Sequence, residues 1–197
     1  LESILPVSME LRQEHRKLAL AIVVALDRSG SMAAPVPGGK VKMDLANLGT
    51  VEVLDLLGPS DEFGCIAVDS GPHVVAELAS VTDKEATRGK VLSIQSMGGG
   101  IYIYEALSAA ATMIQDAKAG TKHIVLFADA ADSEEPGKYA DLLEQTKKAG
   151  ITVSVIGLGS PADKDAKLLE DVAARGGGRL FITDKPEELP RLFAQDT

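Results

Sequence analysis

The sequence has no tryptophan and only 4% aromatic residues, so whatever core it builds comes from Val, Ile, Leu and Ala. That composition suits a helix-covered parallel sheet. A single cysteine, Cys65, excludes an internal disulfide and a cysteine zinc cage; its setting, EFGCIAV, reads as the interior of a strand, where the thiol only packs. No apolar run approaches the roughly 20 residues that cross a bilayer, and no segment has the basic start and apolar middle of a signal peptide. Positive charge is also scarce. With 20 Lys and Arg against 29 Asp and Glu, the formal net charge is -9, and no basic stripe compensates. A phosphate backbone would be repelled, so nucleic acid is excluded as a partner.

What is present is 197 residues, 45% of them hydrophobic, enough for one domain with a substantial core. The mixed stretch LESILPVSMELRQEHRKL reads as an incoming linker over residues 1–17, followed by one domain over 18–197. The start without Met predicts a piece of a longer protein. LALAIVVALD, KHIVLFAD and ITVSVIGLG are too continuously apolar for half-exposed strands and read as central strands buried on both faces. EFGCIAVDS and PHVVAELAS, joined through Gly71-Pro72, read as an antiparallel hairpin at one edge of the sheet. Helical spacing marks 40–57, 83–95, 103–114, 138–149, 163–175 and 187–193, with Gly176 to Gly178 as a helix stop and RLFIT as an edge strand. Strands alternating with helices make this a doubly wound α/β fold with right-handed crossovers.

In such a fold, ligands sit beyond the carboxyl ends of the strands, where the strand order switches direction. Two strands end in aspartate, AIVVALD at Asp27 and HIVLFAD at Asp129, and Ser29 and Ser31 follow on the loop leaving the first. If these strands are neighbours, two carboxylates and two hydroxyls face one crevice. An all-oxygen set with few charges suits a hard cation that keeps part of its water, Mg2+ or Mn2+. The plainer alternative makes the aspartates helix N-caps and lets the serines bond the loop backbone. Either aspartate alone would fit that alternative; D-x-S-x-S at a strand end together with the second strand-terminal aspartate fits the cation site better.

DRSGSM, GGGIYIYEAL and LFADA, in this order among the strands and helices, resemble the von Willebrand factor type A domains. The resemblance covers essentially residues 18–195. It implies a three-layer, Rossmann-like, mostly parallel six-stranded sheet with one antiparallel edge strand. It also implies a metal-ion-dependent adhesion site, with Asp27, Ser29, Ser31 and Asp129 as ligands. A partner's carboxylate would complete the coordination of the ion. In the family, a threonine from the loop after the glycines joins the site directly or through water; here that position is Ile101, which has no oxygen to offer. The glycine usual after the later aspartate is replaced by Ala130. Three outcomes stay open: an ion held weakly with an additional water, an ion helped by Asp132 or Glu134, or a site without an ion. A narrower resemblance, carried by LPVSMELRQEHRKLALAIVVALDRSGSM, is to modules of bacterial membrane-associated proteins that also carry a glutamine-amidotransferase-like domain. It implies a soluble module of a membrane-anchored protein.

Other motifs fall away on inspection. PGGKV lacks the first glycine and the hydroxyl of a phosphate loop, GGG fails the dinucleotide frame at Ile103, and Asp27 stands where a G-x-S-x-G elbow needs glycine. His15, His73 and His123 are not placed to serve as a base at the crevice. Arg28 reads as a solvent-facing spacer or as a group that greets an acidic partner. The expected function is therefore a protein-binding, adhesion-type module without catalysis. The alternative is a structural scaffold with a degenerate, metal-free site.

Overall fold

The long apolar runs form the centre of the sheet, as their two-sided hydrophobicity requires. The computed structural model describes residues 19–36, 38–100, 102–129 and 137–183. The readings for 1–17, Ile101, Ala130, Asp132, Glu134 and the helix at 187–193 lie outside them. Strand β1 (Leu20–Asp27) leads through a 3-10 turn (Gly30–Ala33) and a small hairpin, β2 (Pro35–Val36) and β3 (Lys40–Val41), into helix α1 (Lys42–Leu56). The hairpin β4 (Glu62–Val68) and β5 (Pro72–Ser80) follows, then α2 (Lys84–Leu92) and α3 (Ile103–Gln115). The second half alternates β6 (Thr121–Asp129), α4 (Tyr139–Lys148), β7 (Ile151–Leu158), α5 (Ala166–Gly176) and β8 (Gly177–Thr183).

The main sheet has six strands in the order β5-β4-β1-β6-β7-β8. Only the β4–β5 pairing is antiparallel; the others are parallel. The chain first builds outward from β1 to β4 and β5, then returns to β1's other side with β6. The switch point therefore lies between β1 and β6. The three-layer, doubly wound fold expected from the sequence is the one observed.

Alternation along β1 divides the core into two layers. Ile22, Val24 and Leu26 pack with Met43, Val53 and Leu54 of α1 and Val91 of α2. Ala21, Val23 and Ala25 pack with Ile103, Leu107 and Ile114 of α3 and Leu169 and Val172 of α5. Gly64 belongs to this close packing, since a Cβ there would meet the Met113 sulfur at 2.6 Å. Cys65 is free and buried, and burial pushes its thiol well above the ordinary range, in keeping with a packing role.

Two sequence expectations need correcting. Lys40 and Val41, read as the start of a helix over 40–57, instead form β3, paired antiparallel with β2, and α1 begins at Lys42. The glycine run is more than a stop: α5 extends to Gly176, Gly177 caps it with a left-handed φ of 71°, and β8 begins there. A Cβ on Gly178 would lie 2.3 Å from the Val153 carbonyl oxygen, so the glycines let β8 start flush against β7.

Candidate functional site

The loop after β1 is held by main-chain bonds before any side chain is considered. Arg28 N–H donates to the Val68 carbonyl at 2.9 Å, Met97 N–H donates to Arg28 O at 3.0 Å, and Gly30 N–H donates to Gly99 O at 3.1 Å. The Ser96 hydroxyl donates to Ser29 O at 2.6 Å. Met32, fully buried, anchors the 3-10 turn in the core. The glycine segment docks on this loop because Gly98 and Gly99 adopt φ of 87° and 80°, which side-chain-bearing residues rarely tolerate.

The structure brings all four sequence-identified residues to the carboxyl ends of β1 and β6. These strands are hydrogen-bonded neighbours, with Leu26 opposite Phe127. Asp27 is 1% exposed, and its carboxylate accepts from Ser29 N–H at 2.7 Å and from Asp129 N–H at 3.3 Å. The Ser29 hydroxyl also bonds that carboxylate and lies 3.0 Å from the Ser31 hydroxyl. Asp129 is 1% exposed as well. Among the described helices, neither aspartate is the N-cap.

Burial pushes the Asp27 carboxyl up to about 6 and outweighs the hydrogen bonds from Ser29 and Asp129, while the Asp129 charge adds to the rise. Its proton is therefore exchangeable near neutrality. A bound cation would favour the ionised form.

Sequence reasoning missed Lys42. Its ammonium donates to Asp129 Oδ1 at 2.7 Å, and its side chain is only 17% exposed. The structure makes Lys42 the first residue of α1, where the helix dipole disfavours a cation unless a partner compensates. The strand that supplies this partner is 87 residues away in the chain, so the sequence could not point to it.

Arg28 is neither a spacer nor free to greet a partner. Its Nε and Nη2 donate to Asp69 Oδ2 at 2.9 and 2.6 Å. Asp69 Oδ1 also lies 3.1 Å from His73 Nε2 and accepts from Gly71 N–H at 3.2 Å. Beside this cluster is a shallow cleft of about 380 Å³, lined in part by Arg28, Lys90, Ile94 and Met97. Met97 is 66% exposed. A larger hollow of about 710 Å³ lies between β5 and α3, and none of the four crevice residues lines it.

Two carboxylates and two hydroxyls, without thiol or imidazole, fit a hard divalent cation, and the ammonium on Asp129 shows that the crevice accepts positive charge. Among the described residues no group of three His, Cys, Asp or Glu forms a metal site. Any ion here would rest on hydroxyls and water beside the two carboxylates.

No curated protein sequence matches the chain significantly. Solved structures share its fold. An aerotolerance-related membrane protein from Bacteroides fragilis matches with a TM-score of 0.78 at 19% identity, over 90% of this chain and 98% of that one. A von Willebrand factor type A protein from Catenulispora acidiphila matches with a TM-score of 0.77 at 26% identity, over 90% of this chain and 42% of that one. Proximal thread matrix protein 1 of the mussel byssus, solved with a zinc-occupied metal-ion-dependent adhesion site motif, matches with a TM-score of 0.74 at 17% identity, over 90% of this chain and 44% of that one. The model of the von Willebrand factor type A domain matches residues 21–195. With the strand order and the D-x-S-x-S loop at the switch point, this match shows that the chain belongs to the von Willebrand factor type A domain family.

Proposed function

We propose that this domain is a protein-binding module that receives an acidic group of its partner at the crevice formed by Asp27, Ser29, Ser31 and Asp129. These residues would hold Mg2+ or Mn2+. The observation that carries the reading is the meeting of two buried, strand-terminal aspartates at the switch point, tied together by the bond from Asp129 N–H to Asp27. The bound ion would supply positive charge with an open position for a carboxylate. Asp27 and Asp129 contribute the negative charge, and Ser29 and Ser31 fix the loop and offer neutral oxygens. The neighbouring cleft, lined in part by Lys90, Ile94 and Met97, suits a partner surface that mixes acidic and apolar groups.

The mussel protein's zinc-occupied motif supports the metal half of this reading. Ile101 supplies no hydroxyl, so the ion would hold an additional water and bind weakly. The reading includes no catalysis: His73 bonds Asp69 and His123 bonds Thr152. The fold shared with the Bacteroides membrane protein supports a place in a larger, membrane-anchored bacterial protein. Among the described residues no helix is long and apolar enough to cross a membrane.

Calorimetric titration of Mg2+ and Mn2+ into chelator-treated protein tests the claim. Binding at millimolar levels or tighter, abolished by Asp27→Ala, is expected; absence of both heat and thermal stabilisation sinks the metal half. A metal-free scaffold is the second reading, favoured by the Lys42–Asp129 ion pair. It predicts that Ile101→Thr creates metal affinity the parent lacks, whereas the first reading predicts roughly tenfold tightening of an affinity already present, about 1.4 kcal/mol.

A further inference from the structure

We infer that the Lys42 ammonium is a tethered cation that holds Asp129 in the ion-free crevice and must leave it before a divalent ion can bind. This rests on the metal reading above and adds a regulating residue to it. Lys42 sits at the first position of α1, where the four leading N–H groups already make the helix end positive. A lysine there needs compensation. Asp44, the acidic residue of the first turn, is engaged with Val41 N–H at 2.9 Å. The described bond that compensates the ammonium is the one to Asp129.

Position and burial make the pair consequential. Lys42 is 17% exposed and Asp129 1%, so water screens their attraction poorly. The backbone fixes the root of the side chain as well, since Lys42 N–H donates to Ala34 O at 3.0 Å and Ala34 N–H donates to Ser31 O at 3.0 Å. One short segment therefore links a metal-site hydroxyl residue to the base of the competing cation. An ammonium at hydrogen-bonding distance and a divalent ion on the same carboxylate repel each other. With both aspartates ionised the crevice carries two negative charges; the ammonium leaves a net of about one, while a divalent ion alone neutralises both. The flexible four-carbon stem lets the ammonium withdraw to solvent when an ion arrives. The crevice thus has two states, one in which lysine offsets half of the charge and one in which a metal ion neutralises it.

The test is Mn2+ titration of wild type, Lys42→Met and Lys42→Arg, together with amine labelling of the wild type read by mass spectrometry. Lys42→Met should bind Mn2+ at least tenfold tighter than wild type, and Lys42→Arg should stay close to wild type. In the wild-type chain, saturating Mg2+ should raise the labelling of Lys42 several-fold and leave Lys147 unchanged. Tight binding by Lys42→Met alone supports the inference even as the wild-type metal reading fails. Equal affinities, or Lys42 labelling that an evidently bound ion does not change, overturn the inference and leave the metal reading intact. If neither wild type nor Lys42→Met binds, both fall. Should Lys42→Met not fold, the labelling of the wild type decides.

Discussion

Asp27 and Asp69 stand at the carboxyl ends of the adjacent strands β1 and β4, yet their surroundings drive them in opposite directions. Burial raises the Asp27 carboxyl to about 6. Burial acts on Asp69 too, but bonds from His73 and Arg28, and then from Gly71 N–H, outweigh it and hold that carboxyl well below the usual range. The His73 hydrogen bond and the Arg28 guanidinium together make the difference. Asp69 has a guanidinium in bidentate contact and is committed to the structure, whereas Asp27 keeps a charge deficit that an ion or a proton can fill.

The largest way to break this contrast is through pH. The raised value means that the folded state holds the Asp27 proton more tightly than the unfolded chain, so its contribution is complete below about pH 4 and is lost as pH rises through about 6. In chelator this loss amounts to about 3 kcal/mol. Asp27→Asn should remove this part of the slope, as read from urea melts of both proteins between pH 4 and 7; parallel curves would refute the raised value.

Arg28→Met attacks the other side. It leaves Asp69 with less than its full compensation, and a loss of about 2 kcal/mol is expected for so sheltered a pair. The sign for Asp69 is the reverse of that for Asp27: its contribution is present above about pH 4 and fades as pH falls towards the depressed folded value. Arg28→Met should therefore also flatten the acid limb of the stability profile. An acid limb as steep as the wild type's would show that Arg28 does not hold the carboxyl down.

Gly99→Ala tests the element that touches both sides, because Gly99 O accepts from Gly30 N–H and a Cβ at this position would lie 3.7 Å from Ser70 N and 4.0 Å from the Asp69 Cβ. The space would admit a methyl group, but the φ of 80° would not tolerate it easily, and about 1 kcal/mol is the expected cost. A neutral result in thermal melts would mean that the loop relaxes without loss.

The contrast also marks how far the sequence could be read. Aliphatic runs ending in aspartate marked β1 and β6 as buried strands, because two-sided burial leaves a pattern in the chain itself; that they are neighbours, which brings Asp27, Ser29, Ser31 and Asp129 to one crevice, was a condition that only the strand pairing meets. The cations were not readable. Arg28 and Lys42 look like ordinary polar residues until tertiary structure brings Asp69 and Asp129 to them from 41 and 87 residues away. The glycines at 176–178 likewise looked like punctuation, since the close approach of Val153 that demands them leaves no mark on neighbouring residue types.

The segment from Ile94 to Gly99 joins the β1 loop mostly through its backbone, with Met97 N–H on Arg28 O and Gly99 O on Gly30 N–H. Side chains there, above all the exposed Gln95 and Met97, take no part in those main-chain bonds. Gln95 and Met97 can therefore be exchanged without breaking the bonds that hold the loop, unlike Ser96, whose hydroxyl donates to Ser29 O. On the proposed reading, the domain would separate a fixed chemical centre from a rewritable recognition edge, so that new binding preferences could be written into Gln95 and Met97 while the carboxylates and serines stay where they are.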